Sequence, residues 1–105
     1  MAKINIAVAG CLGRMGQELS KQIIGNNKLE FVGGFEHKKH KDINKQFKNV
    51  SDINSTKIID SNPTISIKSA SVLIDFTTPQ STLENLKIAS QNKTAVIIGT
   101  TGMTE

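Results

Sequence analysis

The chain has 105 residues and a formal net charge of +4 at pH 7, a size that suits one domain with one hydrophobic core. Trp and Tyr are absent, and a single cysteine excludes an internal disulfide framework and fits a reducing compartment. No apolar run is long enough for a membrane span, none resembles a signal peptide, and no basic stripe with interleaved aromatic residues suggests nucleic acid. We therefore expect a cytoplasmic protein that binds neither membrane nor nucleic acid, and the sequence predicts no metal site.

Short β-rich runs alternate with helical periodicity, which predicts an α/β fold: a Rossmann-like, doubly wound parallel sheet. Ile4 to Ala9 is an almost continuous apolar run, as expected for a strand that is covered on both faces. After a glycine turn, Met15, Leu19 and Ile23 recur every four residues, with Ile24 beside them. This spacing predicts a helix that buries these side chains, Met15 included.

Gly25-Asn26-Asn27 predicts a left-handed end to this helix, and Leu29 to Phe35 is interpreted as the second strand. Residues 37–56 are polar and irregular, which indicates a surface loop with one helical turn. Four apolar side chains are expected to anchor that loop: Ile43, Phe47, Val50 and Ile53.

The alternation continues with a possible short strand at Lys57 to Ile59 and a helix start at Asp60-Ser61-Asn62-Pro63. Val72 to Phe76 is the clearest later strand. We interpret Asp75, near its end, as a cap for the next helix rather than as a catalyst.

The helix that opens at Pro79 is predicted to bury one face, formed by Leu83, Leu86 and Ala89 or Ser90. Ala95 to Ile98 is the next strand, and Gly99-Thr100-Thr101-Gly102 closes it. A further helix is expected where the sequence stops. We therefore interpret residues 1–105 as a truncated dinucleotide-binding domain whose sheet is incomplete at its C-terminal end.

The turn Gly10-Cys11-Leu12-Gly13-Arg14-Met15-Gly16 joins the first strand to the first helix. Glycines at such a turn let the backbone approach a pyrophosphate, which the first helical amides and the helix dipole can hold. The second strand ends at Glu36, whose carboxylate can accept hydrogen bonds from the adenosine ribose. The combination predicts a dinucleotide site; the alternatives are a structural βαβ turn or another nucleotide-like ligand.

Cofactor preference stays open between NADH and NADPH. Glu36 disfavours a 2′-phosphate, whereas His37 or Lys38 could pair with one, and Lys39 to Lys41 are interpreted as a solvated loop. Arg14 either clamps the pyrophosphate or faces solvent. Cys11 is interpreted as a small turn residue rather than a nucleophile.

Two later loops belong to the same edge of the predicted sheet, where ligands collect. Phe76 and Thr77 could border the adenosine or the centre of the cofactor, and Gly99 to Thr101 could face the nicotinamide. The complete predicted cofactor-binding set is Gly10, Cys11, Leu12, Gly13, Arg14, Met15, Glu36, His37, Phe76, Thr77, Gly99, Thr100 and Thr101.

Three stretches in series resemble dihydrodipicolinate reductase (4-hydroxy-tetrahydrodipicolinate reductase) of the diaminopimelate route to lysine. They are Ile6 to Gly10 leading into Gly13 to Gly16, Val72 to Thr77 with Pro79, and Val96 to Gly102. The resemblance covers essentially the whole chain. It implies that Gly10 to Met15 bind the pyrophosphate, Glu36 the ribose, and Gly99 to Thr101 the nicotinamide of NADH or NADPH.

This sequence departs from the family pattern at two positions. His37 stands where relatives often carry a basic residue for the 2′-phosphate, and Thr78 stands where some have arginine near the adenosine. The resemblance further implies a homo-oligomer and a second domain whose histidine pair and lysine hold the cyclic substrate. Residues 1–105 contain no such set, so we expect them to be unable to reduce substrate on their own.

Two other functions compete with a reductase. One is a stand-alone dinucleotide-sensing module that regulates a partner without chemistry. The other is the cofactor domain of a different NAD(P)-dependent enzyme, such as a semialdehyde or homoserine dehydrogenase. The Gly99 loop favours an enzyme, because a sensor needs to recognise only the adenosine half of the cofactor.

Overall fold

The structure is a computed structural model that describes residues 3–99. Strands and helices alternate along this range, and all the strands run parallel in one sheet of order β3-β2-β1-β4-β5. The predicted Rossmann-like α/β fold is confirmed. The elements are β1 (Ile4–Ala9), α1 (Arg14–Ile24), β2 (Leu29–Phe35), α2 (Phe47–Val50), β3 (Ile59–Asp60), α3 (Pro63–Lys68), β4 (Val72–Asp75), α4 (Pro79–Gln91) and β5 (Ala95–Ile98).

The strand order creates a switch point beside β1. From β1 the chain passes to β2 and β3 on one side, then crosses through α3 to β4 on the other side. Ala9, the last residue of β1, is paired with Phe35 of β2 and with Asp75 of β4. The carboxyl ends of these three strands therefore meet, which is the position where open α/β sheets bind ligands.

Apolar side chains cover both faces of β1, as its sequence predicted. Ile6 and Val8 face one core layer, in which the rings of Phe31 and Phe47 meet edge to face with centroids 5.3 Å apart. Ala7 and Ala9 face the other layer. All four predicted anchors of the 37–56 loop pack in the first layer, and Phe47 in α2 supplies the expected helical turn.

The buried face of α1 differs from the predicted one. Gly16, Ser20 and Ile23 are buried, whereas Met15 is 58% exposed, so the prediction of Met15 as a core residue is wrong. The reason is that Gly16 packs directly against Gly10 and Cys11. This contact fixes which face of α1 points toward the core. Ile24 is also exposed.

The face of α4 was also predicted wrongly, except at Ala89. Thr82, Asn85 and Ala89 are buried, while Leu83 is 63% exposed and Leu86 is 36% exposed. A polar stripe faces inward because the carboxylate at the end of β4 is itself fully buried and draws hydrogen-bond donors from this helix.

Helix ends provide two further corrections and one confirmation. Gly25 ends α1 with φ −78°, so the predicted left-handed end is wrong. Asp75 does not cap α4, because the capping residue is Thr78, whose hydroxyl accepts from the Ser81 amide. The predicted start of α3 is confirmed: the Asn62 side chain accepts from the Thr64 amide, and Pro63 is the first helical residue.

Candidate functional site

The glycine turn between β1 and α1 is tight enough to require glycine at two positions. Gly10 has φ +74°, a conformation that side chains rarely adopt. A Cβ on Gly16 would lie 2.1 Å from the Gly10 carbonyl oxygen and 2.9 Å from the Cys11 Cα. The first turn of α1 therefore lies against the end of β1, and the helix points its N-terminus at the sheet edge.

The N-terminus of α1 is open to an anion. Gly13 is the N-cap residue and, as a glycine, has no side chain that could cap the helix. The first turn contains no acidic residue. The first amides of a helix lack intrahelical acceptors and carry the positive end of the helix dipole. Arg14 adds an exposed cation at the same end. An anion can thus be bound here by backbone groups, with a guanidinium close by.

Glu36 follows β2 directly and contacts the glycine turn. Its Oε2 accepts a hydrogen bond from the Leu12 amide at 2.7 Å, and its own amide donates to the Asp60 carbonyl at 2.9 Å. The carboxylate is therefore held above the turn by a charge-assisted bond. The Glu36 side chain stays partly exposed at the sheet edge, where it can contact a ligand bound at the N-terminus of α1.

Two cavities extend from the glycine turn. The first, of about 520 Å³, is lined by Glu36, His37 and Lys38 on one side. The second, of about 410 Å³, is lined by Arg14, Met15 and Gly99. Both cavities share the same central wall, formed by Gly10, Gly13, Phe76, Thr77 and Thr78. Together they form one groove along the carboxyl edge of the sheet.

Gly99 lies under the ring of Phe76. A Cβ at this glycine would come within 2.4 Å of the ring, so no larger residue fits without moving it. The Gly99 amide donates to the Asp75 carbonyl at 2.8 Å. The ends of β4 and β5 are thereby held together at the second cavity.

Most of the predicted binding residues within 3–99 come together in this groove, but Cys11 and Leu12 line neither cavity. The Cys11 side chain is fully buried, and its amide donates to the Phe35 carbonyl. Burial raises the pKa of the Cys11 thiol, and the charge of Glu36 raises it further. These features support a turn residue rather than a nucleophile. Thr100 and Thr101 lie outside the described residues.

Sequence reasoning missed several residues that line the first cavity. Ser61 and Pro63 follow β3 and could have been found, because the end of that strand lies at the same sheet edge. Three residues of α4 are harder to find, since the wrong helical face was predicted for them: Ser81, Glu84 and Asn85.

None of the helices in residues 3–99 combines the length and the apolar character needed to cross a membrane.

Curated relatives of the chain include proteins named 4-hydroxy-tetrahydrodipicolinate reductase. The protein of Pelagibacter ubique (strain HTCC1062) is 41% identical over 105 residues, which are 100% of this chain and 37% of that protein. The protein of Colwellia psychrerythraea (strain 34H / ATCC BAA-681) is 34% identical over 98% of this chain and 38% of its own length. The chain thus spans well under half the length of these relatives.

Two solved structures share the fold. A dipicolinate-bound dihydrodipicolinate reductase from Paenisporosarcina sp. TG-14 is 28% identical with a TM-score of 0.73, over 95% of this chain and 38% of that one. An aspartate semialdehyde dehydrogenase with NADP from Candida albicans is 12% identical with a TM-score of 0.78, over 96% of this chain and 30% of that one, a likeness of fold alone.

A family model described as "Dihydrodipicolinate reductase, N-terminus" matches residues 4–105, almost the whole chain. The match includes the glycine turn, Glu36 and Gly99, which help to line the groove. The chain therefore belongs to the dihydrodipicolinate reductase family, and its residues correspond to the N-terminal part of that family.

Proposed function

We propose that residues 1–105 form a domain that binds NADH or NADPH along the groove, with the pyrophosphate on the N-terminus of α1. The observation that carries this proposal is the joint placement of the Glu36 carboxylate and the open helix end on one continuous groove. A dinucleotide needs both features: donors for its pyrophosphate and an acceptor for its ribose hydroxyls.

The adenosine half of the cofactor belongs in the first cavity, beside Glu36. The same cavity wall contains His37 and Lys38, whose cationic forms can pair with a 2′-phosphate. Both NADH and NADPH are therefore accepted under this proposal. Glu36 favours the former by its charge, and the two basic residues partly offset that preference.

The nicotinamide half belongs in the second cavity, between Met15 and Gly99. Phe76 lines both cavities and offers an aromatic side chain against which the centre of the cofactor can pack. Within the predicted binding set, Thr100 and Thr101 are assigned to the nicotinamide as well. When bound, the reduced nicotinamide supplies a hydride, while this chain binds and orients it.

We propose further that the full protein reduces the cyclic substrate named in its curated relatives, 4-hydroxy-tetrahydrodipicolinate, in lysine biosynthesis. The domain of 1–105 would supply the cofactor, and residues in the remaining length of the relatives would hold the substrate. A cytoplasmic homo-oligomer is part of the same proposal. Residues 1–105 alone are expected to bind cofactor without turning over substrate.

Titration with NADH and NADPH tests the cofactor site directly. The chain lacks Trp and Tyr, so the fluorescence of the reduced nicotinamide can be followed without protein emission from those residues. Saturable binding of either dinucleotide supports the proposal. Failure of a folded sample to bind either one at millimolar concentration overturns it.

A substitution at Gly13 separates anion binding from folding. Gly13 has φ −69°, and a Cβ there would lie no closer than 3.5 Å to another atom, so a side chain fits. Gly13→Asp is expected to add a helix cap and keep the chain folded, yet to place a negative charge where the pyrophosphate binds. We expect its dinucleotide affinity to fall by at least about 30-fold, and Gly13→Ser, an uncharged cap that bonds to the same amides, to lose affinity by a clearly smaller factor.

A further inference from the structure

Asn85 is a buried amide on α4 with no place in the predicted cofactor set. Its side chain is 3% exposed, and its Nδ2 donates to Asp75 Oδ2 at 3.1 Å. Asp75 itself is fully buried at the end of β4. A helix and a strand end are thus joined through a buried charged hydrogen bond, which is a strong and directional interaction.

The other carboxylate oxygen of Asp75 holds the loop between β4 and α4. Asp75 Oδ1 accepts from the Thr77 amide at 2.7 Å and also from the Thr77 hydroxyl. The same hydroxyl lies 3.4 Å from that of Thr82, one turn before Asn85 on α4. One carboxylate therefore fixes the loop with one oxygen and is held by the helix through the other.

This loop forms the wall shared by the two cavities. Phe76 and Thr77 line both of them. A Cβ on Gly10 would lie 3.2 Å from the Phe76 carbonyl oxygen, so the loop also lies close to the glycine turn. A rotation of the Asp75 carboxylate would move Thr77 and, with it, the surface against which a dinucleotide must pack.

We propose that Asn85 is a positioning residue for the dinucleotide: by donating to Asp75 it sets the orientation of the carboxylate that holds the Phe76–Thr77 loop. Although Asn85 also lines the first cavity, its Nδ2 donates to Asp75, and the proposed action is through that carboxylate. This inference rests on the proposed function, because it concerns how well the same groove fits its cofactor. Asn85, on the inner face of α4, is thereby added to the residues that determine dinucleotide affinity.

The substitution Asn85→Asp provides a test with a pH signature. In this variant two buried carboxyl groups face each other, and the side chain at position 85 can donate to Asp75 only while the pair shares a proton. Raising the pH from 6.5 to 8.5 favours loss of that proton, which removes the donor and makes the two groups repel each other. We expect the NADH dissociation constant of this variant to rise at least about tenfold between the two pH values, relative to the wild type.

Several groups that titrate or carry charge line the first cavity in both the wild type and the variant. They are Glu36, His37, Lys38 and Glu84. The quantity to compare at each pH is therefore the ratio of the variant's dissociation constant to that of the wild type. Gln91→Glu is the matched control, because it makes the same change of charge at an exposed position of α4. Its dissociation constant is expected to follow the wild type at both pH values.

Asn85→Leu keeps the inference testable if the acidic variant unfolds at high pH. Leucine has a similar shape but cannot donate, so affinity for NADH and NADPH should fall about fivefold to tenfold, equally at both pH values. All titrations are made on samples shown to be folded by circular dichroism. If Asn85 had only a structural role, its substitution would lower thermal stability without changing the affinity of the molecules that remain folded. Wild-type affinity in either folded variant at pH 8.5 overturns the inference, whereas failure of the wild type to bind overturns the proposed function instead.

Discussion

The carboxylate of Glu36 is bound to the glycine turn itself, because its Oε2 accepts a 2.7 Å hydrogen bond from the Leu12 amide. The two residues are 24 positions apart in sequence and meet because β1 and β2 are neighbouring parallel strands. The bond fixes the carboxylate before any ligand arrives. A ribose that binds to it therefore meets an acceptor already oriented, and a 2′-phosphate meets a charge that cannot easily move away.

Glu36→Gln should change which cofactor binds more tightly. The amide retains the shape of the side chain and an oxygen that can accept from Leu12, but it removes the negative charge next to a 2′-phosphate. We expect the affinity for NADPH relative to NADH to rise by about tenfold, which corresponds to about 1.4 kcal/mol. Parallel titrations with both dinucleotides measure the ratio. Glu30→Gln, which lies at the opposite end of β2, is the control and should leave the ratio unchanged.

Arg14→Gln should weaken the two cofactors equally. Arg14 is exposed at the N-terminus of α1 and lines the second cavity, so under the proposed function its charge would act on the pyrophosphate that NADH and NADPH share. Affinity for both should fall by about threefold to tenfold with no change in their ratio, and the loss should shrink at high salt. Lys21→Gln, in the last turn of the same helix, controls for net charge. A loss confined to NADPH would contradict the assignment of Arg14 to the pyrophosphate.

Gly16→Ala tests the close contact between α1 and the glycine turn. The new methyl group would lie 2.1 Å from the Gly10 carbonyl oxygen, a backbone atom that can move only by distorting the turn. We expect the free energy of unfolding to fall by at least about 2 kcal/mol. Gly25→Ala is the matched control: its φ is −78° and its nearest neighbour would be 3.5 Å away, so stability should be retained. Denaturant unfolding of both variants provides the comparison, and equal stabilities would show that the turn adapts.

Most strands of the described range could be predicted from the sequence because their signals are local, but β3 is Ile59–Asp60 rather than the predicted Lys57 to Ile59. A continuous apolar run defines β1, and the glycine spacing together with a second strand that ends before Glu36 predicts where the groove lies. The helix faces could not be predicted in this way. Met15 was assigned to the core on spacing, but the orientation of α1 depends on how closely Gly16 can approach the Gly10 carbonyl, a contact made only in the folded chain.

A buried carboxylate explains the second error. The apolar stripe containing Leu83 satisfies the helical period, yet the inner face of α4 is occupied by Asn85, the partner of Asp75. Periodicity treats an asparagine as a surface residue, because it does not include the cost of leaving a buried charge without donors. The site residues contributed by α4 were missed for the same reason.

Substitutions at Leu83 and Ala89 should therefore differ in outcome, although the periodicity placed both residues on the buried face of α4. Leu83→Gln replaces a side chain that is 63% exposed and should change the free energy of unfolding by less than about 0.5 kcal/mol. Ala89→Leu enlarges a residue that is 1% exposed against the core and should cost about 1–3 kcal/mol. Thermal unfolding of the two variants measures the contrast; a larger loss for Leu83→Gln would reverse the assignment of the faces.

Cys11 should resist alkylation in the folded protein. Its side chain is fully buried, and both burial and the nearby charge of Glu36 raise the pKa of its thiol, so the reactive thiolate is scarce at pH 8. We expect iodoacetamide to label the native chain at least about 100-fold more slowly than the chain in concentrated guanidinium chloride, as followed by intact mass. Because a raised pKa favours the protonated thiol, the native rate should stay low as the pH rises from 7 to 9. Rapid stoichiometric labelling of folded protein would instead indicate an accessible thiol and contradict the interpretation of Cys11 as a buried turn residue.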